Sequence, residues 1–329
     1  MRTFRNINAR DLQDAVAIAQ EIQEAGQSVA FSGGGTDLLQ QVKDGTQRPD
    51  VIINLRSVDQ ERAVRSSNDQ VEIGGLISLS NLGRDAIIQG QFPVLTQAAT
   101  SVGSPQIRNA GTLAGNIMQR PWCWYYRNGF DCFKAGGKQC YSVTGENQLH
   151  AIFGGGPSYI VHPSDIAPAL VALDAKFKIV GPDGERNLTG SEFFVLPIVD
   201  PEKENVLASN ELLAGVSIPR AAPNTRSAYK KVMDREAWTH AVVSVAVVLE
   251  MDGMVCSSAR IVMGGVAPIP WRVPEAEQLL QGQRITPELA RQAAQRAVAG
   301  AAPLAKNGYK VQMARTVVER TILSLSGNS

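Results

Sequence analysis

The chain has 329 residues, 44% hydrophobic and 19% charged, with a net charge of +1. That length accommodates two or three domains with their own cores. The near-zero charge gives no bulk electrostatic case for nucleic acid or an anionic membrane, and no run of about eighteen apolar residues marks a membrane span.

MRTFRNINARDL lacks the apolar core of a signal peptide. The cysteines, three of four bunched, do not form a disulfide framework. The expected location is cytoplasmic, or periplasmic if the chain is exported already folded with a signal-bearing partner.

Apolar residues at Leu12, Ala15, Ala17, Ile18 and Ile22 predict a helix over Asp11–Gln23. Ser28–Phe31 is a predicted strand running into Ser32-Gly33-Gly34-Gly35-Thr36-Asp37, followed by a helix from Leu38 and a strand at Val51–Leu55. These make a first unit, residues 1–57. A second, 58–218, opens with the strand Val71–Gly75. Helices are predicted at Leu79–Ile88, Pro93–Val102 and Pro168–Leu173, and strands at Tyr159–Val161 and Lys176–Val180. Ile107–Ile117, rich in Gly and Asn, is expected to be loop-like. PRAAPNT, from Pro219 to Thr225, is the predicted linker. A third unit, 225–329, has strands at Ala241–Glu250 and Ala259–Gly264, then helices at Pro287–Val298 and Tyr309–Leu323, an α+β order.

Two glycine-rich stretches carry the first functional signal. Glycines in the turn from Gly33 to Asp37 let backbone N–H groups approach a phosphate. The spacing is neither that of a dinucleotide fingerprint nor that of a nucleotide phosphate loop. Read by itself, it is equally a turn with Thr36 or Asp37 capping a helix. Gly111-Thr112-Leu113-Ala114-Gly115-Asn116 is a second such stretch. In His162-Pro163-Ser164-Asp165, either Ser164 or Asp165 suits an N-cap.

A third signal is WCWYYRNGFDCFKAGGKQCY, Trp122 to Tyr141. It holds Cys123, Cys132 and Cys140 and seven of the nineteen aromatic residues. Bunched thiolates with nearby cations suit soft metal or an iron–sulfur cluster. The long spacings do not match the short Cys pairs of structural zinc sites. Cys256 reads as a plain, partly buried thiol, and His150, His162 and His240 read as structural.

GGGTDL, then QIRNAGTLAGNI, then PSDIAPALVALDA, in that order, resemble the FAD-binding subunit of the molybdenum hydroxylases, the xanthine dehydrogenase and aldehyde oxidoreductase family. KVMDREAWTHAVVSVAVVL and GGVAPIPWRVPEAE resemble its C-terminal domain. The resemblance implies an α+β chain: a p-cresol methylhydroxylase-type FAD-binding fold in two subdomains, then a C-terminal domain of the carbon monoxide dehydrogenase flavoprotein type. It implies FAD held by Ser32, Gly33, Gly34, Gly35, Thr36 and Asp37 at the pyrophosphate, and by Thr112, Gly115 and Asn116 near the pyrophosphate and flavin. Asp165 would bind ribityl or ribose hydroxyls, and Lys231 would stand near the isoalloxazine. One departure is Thr239, where the family often shows Asp four residues after the arginine matching Arg235.

The same resemblance covers the cysteine segment. Between Asn116 and Asp165 lie 48 residues, and the extra stretch at about 119–158 is similar to an insert that binds a 4Fe-4S cluster in aldehyde oxidoreductase and hydroxybenzoyl-CoA reductase flavoprotein subunits. The family's first three cysteines match Cys123, Cys132 and Cys140, and its fourth falls at Ser158. The outcomes are a 4Fe-4S cluster with Ser158, water or another residue as fourth ligand, a three-iron cluster, or a packed loop without a cluster. The implied function is electron transfer through FAD in a heterotrimer with a small 2Fe-2S subunit and a large molybdenum cofactor subunit. Rival readings are a stand-alone FAD oxidoreductase on this fold, a hydroxybenzoyl-CoA reductase-like flavoprotein subunit, and a scaffold without cofactor. Flavin bands in a visible spectrum separate the last from the others.

Overall fold

A computed structural model describes residues 3–235 and 239–326. Residues 236–238, within the KVMDREAWTH stretch, lie outside the described residues.

The chain opens with a parallel sheet in the order Arg5–Asn8, Val51–Asn54, Val29–Ser32. The helix Leu12–Glu24 begins where the Asp11 side chain accepts a hydrogen bond from the Asp14 N–H. It buries Leu12, Ala15, Val16, Ala19 and Ile22 on one face. That stripe joins Val51 and Ile53 of the sheet and Val180, Leu212 and Ala214 of the next layer in one core. The first sheet is thereby fixed against the second, with a cleft at the ends of its strands.

The second sheet is antiparallel, in the order Val64–Ser66, Gln70–Gly74, Leu212–Pro219, Lys176–Gly181, Gly184–Leu188. Helices between Leu79 and Ile117 and the helix Ile166–Ala172 share its core. The third sheet has Trp271–Arg272, Val255–Gly264, Val243–Asp252 and Thr225–Val232, with Gln283–Arg284 pairing on Val255–Gly264. Val243–Asp252 is nearly all apolar because both its faces are covered. Ala246 and Val248 pack with the second sheet's core, while Val245, Val247 and Leu249 pack against the C-terminal helices.

Three sequence expectations change. Leu79–Ile88 is two helices, Leu79–Arg84 and Ala86–Gln91, because the Asp85 carboxylate caps the second by accepting from Ile87 and Ile88 N–H. Ile107–Ile117 is helical at both ends: Pro105–Ala110 and Leu113–Ile117 are short helices capped by the Ser104 and Thr112 hydroxyls. Tyr159–Val161 is not a strand. It is tied instead by single hydrogen bonds, from Ala151 N to Tyr159 O at 3.0 Å and from His162 N to Ala267 O at 2.9 Å. The predicted linker is the short connection between strands Leu212–Pro219 and Thr225–Val232, which belong to different sheets.

Candidate functional site

The turn after Val29–Ser32 lies at the carboxyl end of a parallel strand, where open α/β sheets place their ligands. Gly35 has φ +73°, a left-handed conformation suited to glycine. Gly34 is required for a different reason. A Cβ there would stand 2.0 Å from Ala110 O and 3.0 Å from Gly111 Cα. A Cβ on Gly33 would stand 2.9 Å from Thr112 Oγ1. The two glycine-rich stretches are therefore pressed against each other. Together they wall a cavity of about 380 Å³, lined by Ser32 to Asp37, Thr112, Gly115, Arg120, Lys203 to Asn205 and Glu211 to Ala214 among others. The Thr112 hydroxyl accepts from Gly115 N–H at 3.1 Å, which fixes the second wall.

Asn116, Asp165 and Lys231 do not line this cavity. Asn116 is buried, and its Oδ1 accepts from Ser164 Oγ at 2.6 Å. Asp165 is also buried. Its carboxylate accepts from Tyr229 Oη at 2.6 Å and from Lys231 Nζ at 2.7 Å. Lys231 Nζ also donates to Ser101 O and to Thr239 O, each at 3.2 Å. Burial, reinforced by Asp165, pushes the Tyr229 phenol well above its ordinary value. Asp165 and Lys231 thus lock the helix Ile166–Ala172 to the third sheet. Neither Ser164 nor Asp165 needed a ligand to explain its burial: Ser164 Oγ accepts from Ala167 N–H at 2.9 Å as an N-terminal cap.

A second cavity, about 220 Å³, was not foreseen from the sequence. It lies between Trp122, Cys123 and His150 of the insert, His162 to Ser164, and Thr239 to Val242. Trp122 and His240 face each other across 5.5 Å. A clue was available in the close sequence of Trp122 and Cys123, but its pairing with His240 is a tertiary fact.

His162 is buried edge-on to Phe194, and its Nε2 has no hydrogen-bond partner among the described residues. Burial, with Lys134 acting in the same direction, pushes this imidazole down to about 3 from 6.5. The unfolded chain therefore takes up a proton, as pH falls below 6.5, that the folded chain refuses. This contribution to stability is complete above the unfolded value and is lost toward the folded one, by up to about 1.4 kcal/mol per pH unit. His162→Leu is expected to flatten the loss of stability between about pH 6 and about pH 4, measured by urea unfolding. An unchanged slope would remove His162 from the account.

The insert is anchored to the phosphate-type turn. Arg127, buried under Trp122 with its guanidinium 4.4 Å from the ring, donates to Asp37 Oδ1 at 2.8 Å. Asp37 Oδ2 accepts from Arg120 N–H at 3.1 Å and Gln41 Nε2 at 2.8 Å. The Asp37 side chain does not cap its helix, because these donors claim it. Glu204 receives Lys134 Nζ at 2.7 Å and Arg120 Nη1 at 3.0 Å.

Cys123, Cys132 and Cys140 are free thiols in one neighbourhood. Burial pushes the Cys123 thiol up to about 11; N–H groups of Tyr126 and Tyr125 oppose that, and Cys132 and Cys140 add to it. Cys123 Sγ meets His150 Nε2 at 3.3 Å, and Cys140 Sγ meets Ser142 Oγ at 3.0 Å. Ser158 is buried. Among the described residues no three His, Cys, Asp or Glu side chains are grouped to hold one metal ion. Cys256 is a plain thiol donating to Ser258 O, and it is fully buried where the sequence suggested partial burial.

Fold and cavity together define a flavoprotein subunit of the molybdenum hydroxylase type. Residues 2–221 match the FAD binding domain in molybdopterin dehydrogenase, and residues 227–325 match the CO dehydrogenase flavoprotein C-terminal domain. The chain belongs to this family of oxidoreductase subunits. It is 31% identical over 330 residues, 99% of its length and 98% of the relative's, to the aldehyde oxidoreductase FAD-binding subunit PaoB of Escherichia coli K12. It is 26% identical to the carbon monoxide dehydrogenase medium chain of Hydrogenophaga pseudoflava, across 95% of this chain and 93% of that one. The solved carbon monoxide dehydrogenase of that organism, in a form lacking the Mo-pyranopterin moiety, superposes with a TM-score of 0.77 at 25% identity, over 98% of this chain and 97% of that one. The mixed helix-and-sheet architecture expected from the resemblance is therefore the one present. No helix among the described residues is long and apolar enough to cross a membrane.

Proposed function

We propose that this chain is the electron-transfer FAD subunit of a heterotrimeric aldehyde- or xanthine-type molybdenum oxidoreductase. It would stand between the iron–sulfur clusters of a small 2Fe-2S partner and a terminal acceptor, with substrate oxidised on a large partner carrying the molybdenum cofactor. The observation that carries this reading is the meeting of two glycine-rich stretches over one cavity. There, Gly33 to Asp37 would offer backbone N–H groups to the pyrophosphate, with Thr112 and Gly115 opposite. Bound flavin supplies the electron-accepting chemistry, and the protein supplies position and electrostatics. The reading divides the chain at residues 1–57, 58–218 and 225–329.

Thr36 tests the cavity assignment, because it is exposed and lines it. Thr36→Glu places a carboxylate where phosphate charge would sit. The expected result is at least about a tenfold loss of FAD affinity with an unchanged melting temperature. Full FAD occupancy in the purified variant would place the pyrophosphate elsewhere.

The insert would hold an iron–sulfur cluster on Cys123, Cys132 and Cys140. Its exposed Trp122, Phe130 and Val143 are apolar side chains suited to burial against the partner subunits.

A further inference from the structure

We propose that Gln41 contacts the cofactor, its side-chain carbonyl accepting a hydrogen bond from a sugar hydroxyl of the bound FAD. This deepens the reading above and rests on the cavity being the FAD site. Gln41 sits on the helix Leu38–Asp44, one turn beyond Asp37, and lines the cavity that the two glycine-rich stretches wall. It is only 3% exposed, although glutamine is ordinarily a surface residue.

The amide has one orientation. Its Nε2 donates to Asp37 Oδ2 at 2.8 Å. An ionised carboxylate only accepts, so the amino side of the group faces Asp37 and the carbonyl side faces away. Asp37 is itself held by Arg127 and by Arg120 N–H, and Gln41 N–H donates to Asp37 O at 3.0 Å. Backbone and side chain together fix where Oε1 stands. That oxygen is buried and has no hydrogen-bond partner among the described residues. Leaving a buried acceptor unpaired is unfavourable, and an apolar side chain of the same size would avoid it.

The partner that Oε1 lacks is a donor, which excludes phosphate oxygens. Four residues of helix rise by about 6 Å, so Gln41 stands about that far along the axis from the end of the Gly33–Asp37 turn. In FAD the donors at that range from the pyrophosphate are sugar hydroxyls, of ribose on the adenine side and of ribityl on the flavin side. Either presents an O–H to a carbonyl in the same way.

The test measures FAD affinity of the full chain, freed of flavin, by quenching of flavin fluorescence. Two FAD analogues are compared, one without the ribose hydroxyls and one with a plain alkyl chain in place of ribityl. The wild-type protein should bind one of them about tenfold more weakly than FAD. Gln41→Met keeps the size and removes the acceptor. It should weaken FAD about tenfold and leave the affinity for that same analogue unchanged. The analogue so marked tells whether the hydroxyl belongs to ribose or to ribityl. Equal weakening of FAD and both analogues would mean that Gln41 acts only through Asp37. Full FAD affinity in Gln41→Met, or wild-type protein that binds both analogues as tightly as FAD, would mean that no sugar hydroxyl reaches it. Each of these overturns the Gln41 assignment and leaves the cavity reading intact. A wild-type chain that binds no FAD overturns both.

Discussion

Gly34→Val is expected to destabilise the FAD-binding half strongly, and not merely to empty its cavity. A phosphate turn built from glycine suggests that a side chain would only obstruct ligand. The geometry gives a stronger constraint. The added Cβ would stand 2.0 Å from Ala110 O and 2.6 Å from Ala110 C, both backbone atoms. No rotamer change relieves a clash with backbone. Nor is the opposing loop free to withdraw: Gly111 O accepts from Leu79 N–H at 2.9 Å, and Leu113 N–H donates to Ile77 O at 3.0 Å. Forcing the two walls apart should cost about 3 kcal/mol or more, a large share of the roughly 5–15 kcal/mol that holds a domain folded. Gly33→Ala meets side-chain atoms of Thr112 and no backbone, so its cost should be nearer about 1 kcal/mol. Urea titrations of both variants, with and without added FAD, give the comparison. A Gly34→Val protein with wild-type stability would mean that the two walls do not meet as described.

The glycine example marks what a sequence discloses and what it withholds. GGGTDL and GTLAGNI announced a phosphate-type site, but not that each glycine-rich stretch is the other's steric limit. The strands of the third sheet were legible because Val243–Asp252 carries the nearly unbroken apolar run Val245–Leu249. The helix break at Asp85 and the short helices around Ile107–Ile117 were obscured by Gly and Asn, although Ser104-Pro105 and Thr112 were available as start signals. Long-range pairings left no local trace. Nothing near Lys310 in sequence indicates that its ammonium is satisfied by carbonyls of Leu149, His150 and Gly265. Asp37 read as a helix cap because its local chemistry allows one; an arginine ninety residues away claims it instead.

That arginine gives the second large effect. Asp37→Ala is expected to destabilise the protein by about 3 kcal/mol, because it strands the Arg127 charge in a buried place. The side chains of Arg127 and Asp37 are only 6% and 11% exposed. Arg127 Nε also donates to Pro121 O and Nη2 to Arg120 O, each at 2.9 Å, so its fork is fixed in direction. Lysine lacks that planar fork, and Arg127→Lys should recover little. In Asp37→Ala/Arg127→Met the charge and its partner leave together, and the double variant should be less destabilised than the sum of the single ones by about 1–3 kcal/mol. The pair joins the turn that walls the proposed flavin cavity to the segment between Cys123 and Cys132. Breaking it should therefore loosen both: FAD should dissociate faster, and limited proteolysis should cut the insert sooner. Additive single effects, or a loosened insert with FAD retention unchanged, would separate the two sites energetically. Coupling in both readouts would make Asp37 and Arg127 the joint through which the cysteine insert and the phosphate-type turn share one geometry.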